Sequence, residues 1–485
     1  MMKIFRMYTI VTILFFAAAF LLFACSQVVT TEGEPPSVVI SDTEKIRSTE
    51  SGEQQISEPE DSASVIKPAA DLPGALLQPD DLIYAGAFRL PDEPSEYGWS
   101  YSGYAMTFYP DGDKDGQQDG YPGSLFILGH DQTQQVAQVN IPAPVISSSK
   151  NTTDLPTAAY LLEFHDITNG MFGELEIPRA GLEYLPPQGA QTTGKLYFCW
   201  GQHFQFEREA SHGWSELDLT APNPAGPWHV GEYSNYVTND YLFEIPESWS
   251  NAFTPGLRLV TGRFRDGSWG GLGPTLFAIA PWNEGNPPPS GTTLEQVIPL
   301  LLYGENVPGI PEISVSENRR MVTYSEPDEW SGGAWLTASE TTVGDKSAVV
   351  LVGTKAVGRS WYGFSNGVEY PISGDTAEEY PEVPPWPHDD RGWWSEDISA
   401  QIIFFNPIDF GAVVHGEMET WQPQPYASLT LDGYLFDPGF NYERQKRYLL
   451  GAAAFDRENG LLYIIERMAD DDERSLIHIF RLESK

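Results

Sequence analysis

Four stretches far apart in the chain end alike: Gln-Val-Asn-Ile-Pro at 138–142, Leu-Phe-Glu-Ile-Pro at 242–246, Phe-Ala-Ile-Ala-Pro at 277–281 and Ile-Phe-Phe-Asn-Pro at 403–407. Each is a short apolar run closed by a residue that donates nothing to a β-ladder, so each reads as a strand that stops at an outer sheet edge. Around them a strand, a Gly-rich turn and a second strand recur. One unit takes Tyr101 to Tyr109, Ser124 to Gly129 and Gln135 to Pro142; the next takes Ala180 to Pro186, Lys195 to Trp200 and Tyr241 to Pro246. A third takes Leu257 to Phe264, Pro274 to Pro281 and Leu300 to Tyr303, and a fourth takes Ala334 to Ser339, Ser347 to Thr354 and Ala400 to Pro407. The fifth runs through Leu449 to Phe455, Leu461 to Glu466 and Ser475 to Leu482. With 45 Gly and 39 Pro among 485 residues and few helical periodicities, an all-β body is expected.

Small sheets repeated over residues 76–485 leave many edges to protect, and radial repetition is one way to keep those edges short. The expected fold is therefore a β-propeller, five-bladed, with long inserted loops. The interval between the last two unit starts, near 334 and 449, is long enough to hold a sixth blade. Leu82 to Phe88, ahead of the first unit, is placed to pair with the last blade and close the ring. A double β-sandwich is the competing arrangement.

The amino terminus reads as an address. Lys3 and Arg6 precede an uncharged run from Tyr8 to Ala24, the pattern of an export signal. The run ends Leu22-Phe23-Ala24-Cys25-Ser26, which resembles the lipobox of bacterial lipoproteins. That resemblance implies removal of residues 1–24, lipidation of Cys25 and attachment to a membrane by acyl chains, each buried CH₂ contributing ~0.8 kcal/mol. It places the protein outside the cytoplasm, and Ser26 implies the outer membrane in a Gram-negative source. Residues 25–75 then form an acidic tether: from Ser26 to Ala75 there is no aromatic residue, which is the composition of a segment that stays disordered. Such a tether spans on the order of 40 Å. The only other cysteine, Cys199, sits in an apolar run and reads as a buried strand residue. A formal charge of −40 repels phosphate backbones, so nucleic acid is not an expected partner.

One loop carries a metal pattern. Asp111-Gly-Asp113-Lys-Asp115-Gly116-Gln117-Gln-Asp119 fits D-x-D-x-D-G-x-x-D, in which alternate carboxylates converge on one point and oxygen-only ligation favours Ca²⁺. Pro122 at the twelfth position excludes an EF-hand, whose geometry needs a bidentate glutamate there. The motif resembles the calcium hairpins of integrin α-subunit propellers. The resemblance implies side-chain ligation by Asp111, Asp113, Asp115 and Asp119, with the Gln117 carbonyl as a further ligand and a structural role for the ion. The other acidic run, Asp470 to Glu473, falls in a predicted hairpin turn and reads as a solvated tip.

Familiar catalytic motifs do not occur: there is no H-E-x-x-H, C-x-x-C, phosphate loop or G-x-S-x-G elbow. A propeller can still assemble a site from distant residues at one end of its axis. Glu183, Asp266 and Glu340, near predicted inner strands, are the carboxylates that could meet as the acid and base of a glycoside hydrolase. Arg265-Asp266 is faintly similar to the Arg-Asp pair of fructan-hydrolysing propellers, although Gly267 stands where that family has proline. Trp269, Trp335, Trp361, Tyr362, Trp393 and Trp394 lie among glycines, and rings exposed there could stack on sugars. Two functions fit: a surface-tethered module that binds a polysaccharide or surface protein, and a carbohydrate-active enzyme on the same scaffold. The lack of a recognisable catalytic motif favours the first.

Overall fold

The computed structural model describes residues 74–92, 98–113, 116–118, 120–203, 205, 207–264, 271–304, 319–337, 346–371, 380–437, 440–441 and 444–483. The expected signal at 1–24 and most of the expected tether at 25–75 lie outside the described residues. Five four-stranded meanders account for the body. Blade I comprises Met106–Tyr109, Ser124–Leu128, Gln135–Asn140 and Tyr160–Asp166. Blade II comprises Arg179–Leu185, Lys195–Gly201, His212–Ser215 and Ala225–Val230, with Thr293–Leu294 added in parallel at its outer edge. Blade III comprises Tyr241–Glu244, Leu259–Gly262, Leu276–Ile279 and Val297–Leu301. Blade IV comprises Glu329–Thr337, Lys346–Phe364, Arg391–Phe405 and Ala427–Thr430, and Ala75–Leu76 pairs in parallel with Lys346 and Ser347. Blade V takes Leu450–Asp456, Leu461–Asp470 and Arg474–Leu482 from the C-terminus, and its fourth strand is Leu82–Arg89.

The first strands of the five blades touch in cyclic order, I to II, II to III, III to IV, IV to V and V back to I. The chain is therefore a five-bladed β-propeller, and the expected closure holds: Leu82 pairs with Leu482 and Arg89 with Leu476 in antiparallel register. Apolar residues face from blade to blade. Phe126, Val136, Leu182 and Phe198 fill the space between blades I and II, and Val350, Phe404, Leu450 and Ile464 that between IV and V. At the axis the first strands come close: a Cβ on Gly181 would stand 2.8 Å from the backbone of Leu242, so only glycine fits there.

Three details differ from the expectation. Tyr241–Glu244 begins blade III and does not end blade II. The strands that complete blade II, His-Gly-Trp-Ser and Ala-Gly-Pro-Trp-His-Val, are short and rich in Gly and polar residues, so their strand signal is weak. The strand-closing prolines do not mark outer edges. Pro246 caps the helix Glu247–Phe253, Pro281 opens a 3₁₀ turn and Pro407 opens the helix Pro407–Val414, positions where a missing N–H costs nothing. Among the described residues the long interval before the last unit holds no sixth blade; much of it is the hairpin of Lys346–Phe364 with Arg391–Phe405, which extends beyond blade IV. Cys199 is fully buried in the second strand of blade II, as its neighbours suggested.

Candidate functional site

Parallel first strands bring their C-terminal ends to one end of the axis. A cavity of about 230 Å³ opens there, lined by Thr107 and Pro110 of blade I, Glu183 and Tyr184 of blade II, Glu244 of blade III, and Phe455 to Glu458 of blade V. Blade IV enters through Arg457, whose Nη1 donates to the Thr337 hydroxyl at 2.6 Å and to the Trp335 carbonyl at 3.3 Å. Four blades thus line one small volume, and Arg457 ties it to the fourth blade of the ring.

Two carboxyl groups occupy its wall. Glu183 Oε2 accepts from the Thr107 hydroxyl at 3.0 Å, and Oε1 accepts from the backbone N–H of Glu244 at 3.0 Å. Thr107 is itself fixed by the Tyr184 N–H at 2.9 Å. The Glu244 carboxylate accepts from Arg258 through Oε1 and from Arg457 Nη2 through Oε2, the latter at 3.3 Å. Burial, reinforced by the negative charge of Glu244, pushes the Glu183 carboxyl up to about 8 despite its two hydrogen bonds and the nearby Arg457. At neutral pH it is largely protonated, an O–H donor as well as an acceptor. Asp456 is also raised by burial; its carboxylate is tied into the following turn by the N–H groups of Glu458 and Asn459, both at 3.1 Å.

Of the three carboxylates singled out in the sequence, Glu183 lines this cavity, while Asp266 and Glu340 lie outside the described residues, as does Trp269. The partner of Glu183 is Glu244, missed because it sits inside the apolar run Leu-Phe-Glu-Ile-Pro. A charged residue closing an otherwise apolar strand was the available signal.

The five described aromatic candidates occupy strands and not Gly-rich loops. Trp335 is buried in the first strand of blade IV against Trp249 and Phe410. Trp361 faces Trp394 and Tyr362 faces Trp393 in register across the extended hairpin. Trp394 is buried, its Nε1 bonded to the Gly363 carbonyl at 3.2 Å, whereas Trp361, Tyr362 and Trp393 are half-buried.

The acidic loop joins the first and second strands of blade I at the cavity end of the axis, directly after Pro110. Asp111 and Asp113 are described; Asp115, Asp119 and the Gln117 side chain lie outside the described residues. The second acidic run is only partly a solvated tip. Asp471 and Asp472 are exposed, but Asp470 is buried and paired with Arg89 at 2.7 Å and Arg474 at 3.4 Å.

No protein-family model matches this chain, and no curated protein matches it.

Because the Glu183 carboxyl is raised in the folded protein, the native state holds a proton that the unfolded chain has released between about pH 4.5 and 8. Folding stability from this group is complete below that window and falls as pH rises through it. Replacing Glu183 by Gln removes the titration, so the melting temperature of Glu183→Gln should gain on that of the wild type by roughly 1–2 °C per pH unit between pH 5 and 8. Parallel melting curves across that range would show that Glu183 titrates normally.

Proposed function

We propose that this chain is a lipid-anchored cell-envelope protein whose propeller binds a hydroxyl-rich, carbohydrate-like ligand in the axial cavity without transforming it. The observation that carries the reading is the engagement of both carboxyl groups by protein donors. Glu183 is held by Thr107 and the Glu244 N–H, and Glu244 by Arg258 and Arg457. A protonated carboxyl, a guanidinium and a threonine hydroxyl offer donors and acceptors side by side, and Phe108, Tyr184 and Phe455 supply apolar walls, a mixture that suits sugar hydroxyls and ring faces. The cavity lies below the roughly 300–1,000 Å³ of sites for drug-sized ligands, so about one sugar unit would sit inside it.

A glycoside hydrolase is the second reading, favoured by one specific feature. A carboxylic acid kept neutral at pH 7 beside a carboxylate is the pairing that general-acid cleavage of a glycosidic bond requires. Calorimetry with monosaccharides and short oligosaccharides on the soluble body, with product analysis of the same mixtures, separates the two. Saturable binding without sugar release, weakened at least tenfold by Arg457→Ala, is expected. Release that disappears in both Glu183→Gln and Glu244→Gln would make the protein a hydrolase, and neither binding nor release would remove the cavity from consideration.

The anchor and the ion belong to the same proposal. The Leu-Phe-Ala-Cys run supports lipidation of Cys25, and labelled palmitate should enter the wild type and be absent from Cys25→Ser. Labelling that survives the substitution would exclude it. The spacing of Asp111, Asp113, Asp115 and Asp119 supports a structural Ca²⁺ beside the cavity. After chelation the body should take up one Ca²⁺ by calorimetry, and Asp113→Ala should take up none. Equal uptake by the two, or none by the wild type, would leave the loop as an acidic turn.

A further inference from the structure

The opposite end of the axis, where the first strands begin, has the reverse chemistry. Arg179 opens the first strand of blade II, Glu329 that of blade IV, and Tyr104 and Tyr448 each stand two residues before those of blades I and V. Three guanidinium groups converge on Tyr448, Arg179 at 5.2 Å, Arg447 at 5.4 Å and Arg467 at 5.9 Å from the ring centroid. Arg179 and Arg467 also lie against the ring of Tyr104, at 4.1 and 3.8 Å.

Their partners are unequal. Arg179 has a buried carboxylate, Glu329, at 3.3 Å. Arg467, only 3% exposed, is held by neutral groups: its Nε donates to the Ser102 carbonyl and its Nη2 to the Tyr101 carbonyl, while its Nη1 is buried with no acceptor among the described residues. Ring faces compensate part of a cation's desolvation but give Nη1 no acceptor. Water could satisfy the donor; an oxyanion answers both the donor and the charge, and the planar guanidinium fork matches carboxylate and phosphoryl oxygens.

The surroundings give this cluster an entrance and a neighbouring wall. Arg447 and Tyr448 are half-buried, so the cluster reaches solvent on their side. There the extended hairpin leans on it: the Arg447 guanidinium lies over Trp394 at 5.4 Å, and a Cβ on Gly392 would come within 2.8 Å of that guanidinium. Trp361, directly opposite Trp394, shares its face of the hairpin and is half-buried.

We infer that this end of the axis is an anion-binding site, in which Arg467 and Arg447 hold the acid group of a carboxylate- or phosphate-bearing sugar whose ring rests toward Trp361. The inference is independent of the cavity at the other end.

Isothermal titration of the soluble body at low salt with glucuronate, glucose 6-phosphate and glucose tests it. At least one of the two acids should bind saturably and glucose at least tenfold more weakly, the tighter acid showing whether the carboxyl or the phosphoryl group is preferred. Binding of that acid should fall at least tenfold in Arg467→Gln and in Arg447→Gln, with circular-dichroism melting as the check on folding. If Arg467→Gln does not fold, the half-buried Arg447→Gln decides. Failure of the wild type to bind either acid, glucose binding as well as the acids, or unchanged affinity in the folded variants would overturn the inference.

Discussion

Everything in this molecule rests on closing the ring. Each blade buries apolar side chains against both neighbours, so a propeller with an open seam would leave two sheet faces in water, at roughly 25 cal/mol for each Å² of apolar surface. Leu82–Arg89 prevents this by completing the sheet begun by the last three strands. Phe88 from that strand joins Met106 and Leu125 of blade I and Ile465 and Ile477 of blade V in one buried cluster. A partly buried ion pair, Arg89 with Asp470 at 2.7 Å, fixes the end of the closing strand beside the last hairpin turn. Closure also sets the geometry of function, because only a complete ring makes residues from blades I and V neighbours at the axis.

The two ends of that axis differ because strand direction sorts residues by their place in the first strands. Residues near the ends, Thr107, Glu183, Glu244 and Asp456, gather at the cavity, and residues at the starts, Arg179, Glu329 and the tyrosines just before them, gather at the other end. A chain of net charge −40 keeps several arginines almost wholly out of water: Arg179, Arg263 and Arg467 are 2, 2 and 3% exposed. The field of many surface carboxylates favours the cationic state inside, which offsets part of the cost of desolvating a guanidinium. Local pairing does the rest for two of them, Arg179 with Glu329 and Arg263 with Asp240 at 3.5 Å.

The repeating strand pattern was enough to reach five blades, the closing strand and the burial of Cys199, because apolar runs ended by prolines and glycines survive as a one-dimensional signal. Assignment of strands to blades was less legible. Tyr241–Glu244 resembles the strands that end in proline elsewhere, yet what makes it innermost is the close approach of Gly181 to Leu242, a contact between residues about sixty positions apart. The same distance in sequence hid half of the site. Glu183 could be named because it stood in a strand with few polar residues, whereas Glu244 acquires meaning only from its N–H bond to Glu183 and its arginines.

The tryptophans show why a residue type near glycines is a weak guide to exposure. Trp335 sits among glycines because the first strand of blade IV passes close to its neighbours, and there the ring turns into the core. Trp361, Tyr362, Trp393 and Trp394 sit near glycines because a long hairpin with a register shift needs them, and the pleat then divides the four rings between two faces. One face packs on Arg447 and the other does not, so alternation along the strand and not the local composition decides which ring meets the charged end of the axis. By that logic the informative sequence feature is position within a first strand or within the hairpin: the same glutamate, arginine or tryptophan moved by one residue would change face, and moved from the start of a strand to its end would change from one axial site to the other.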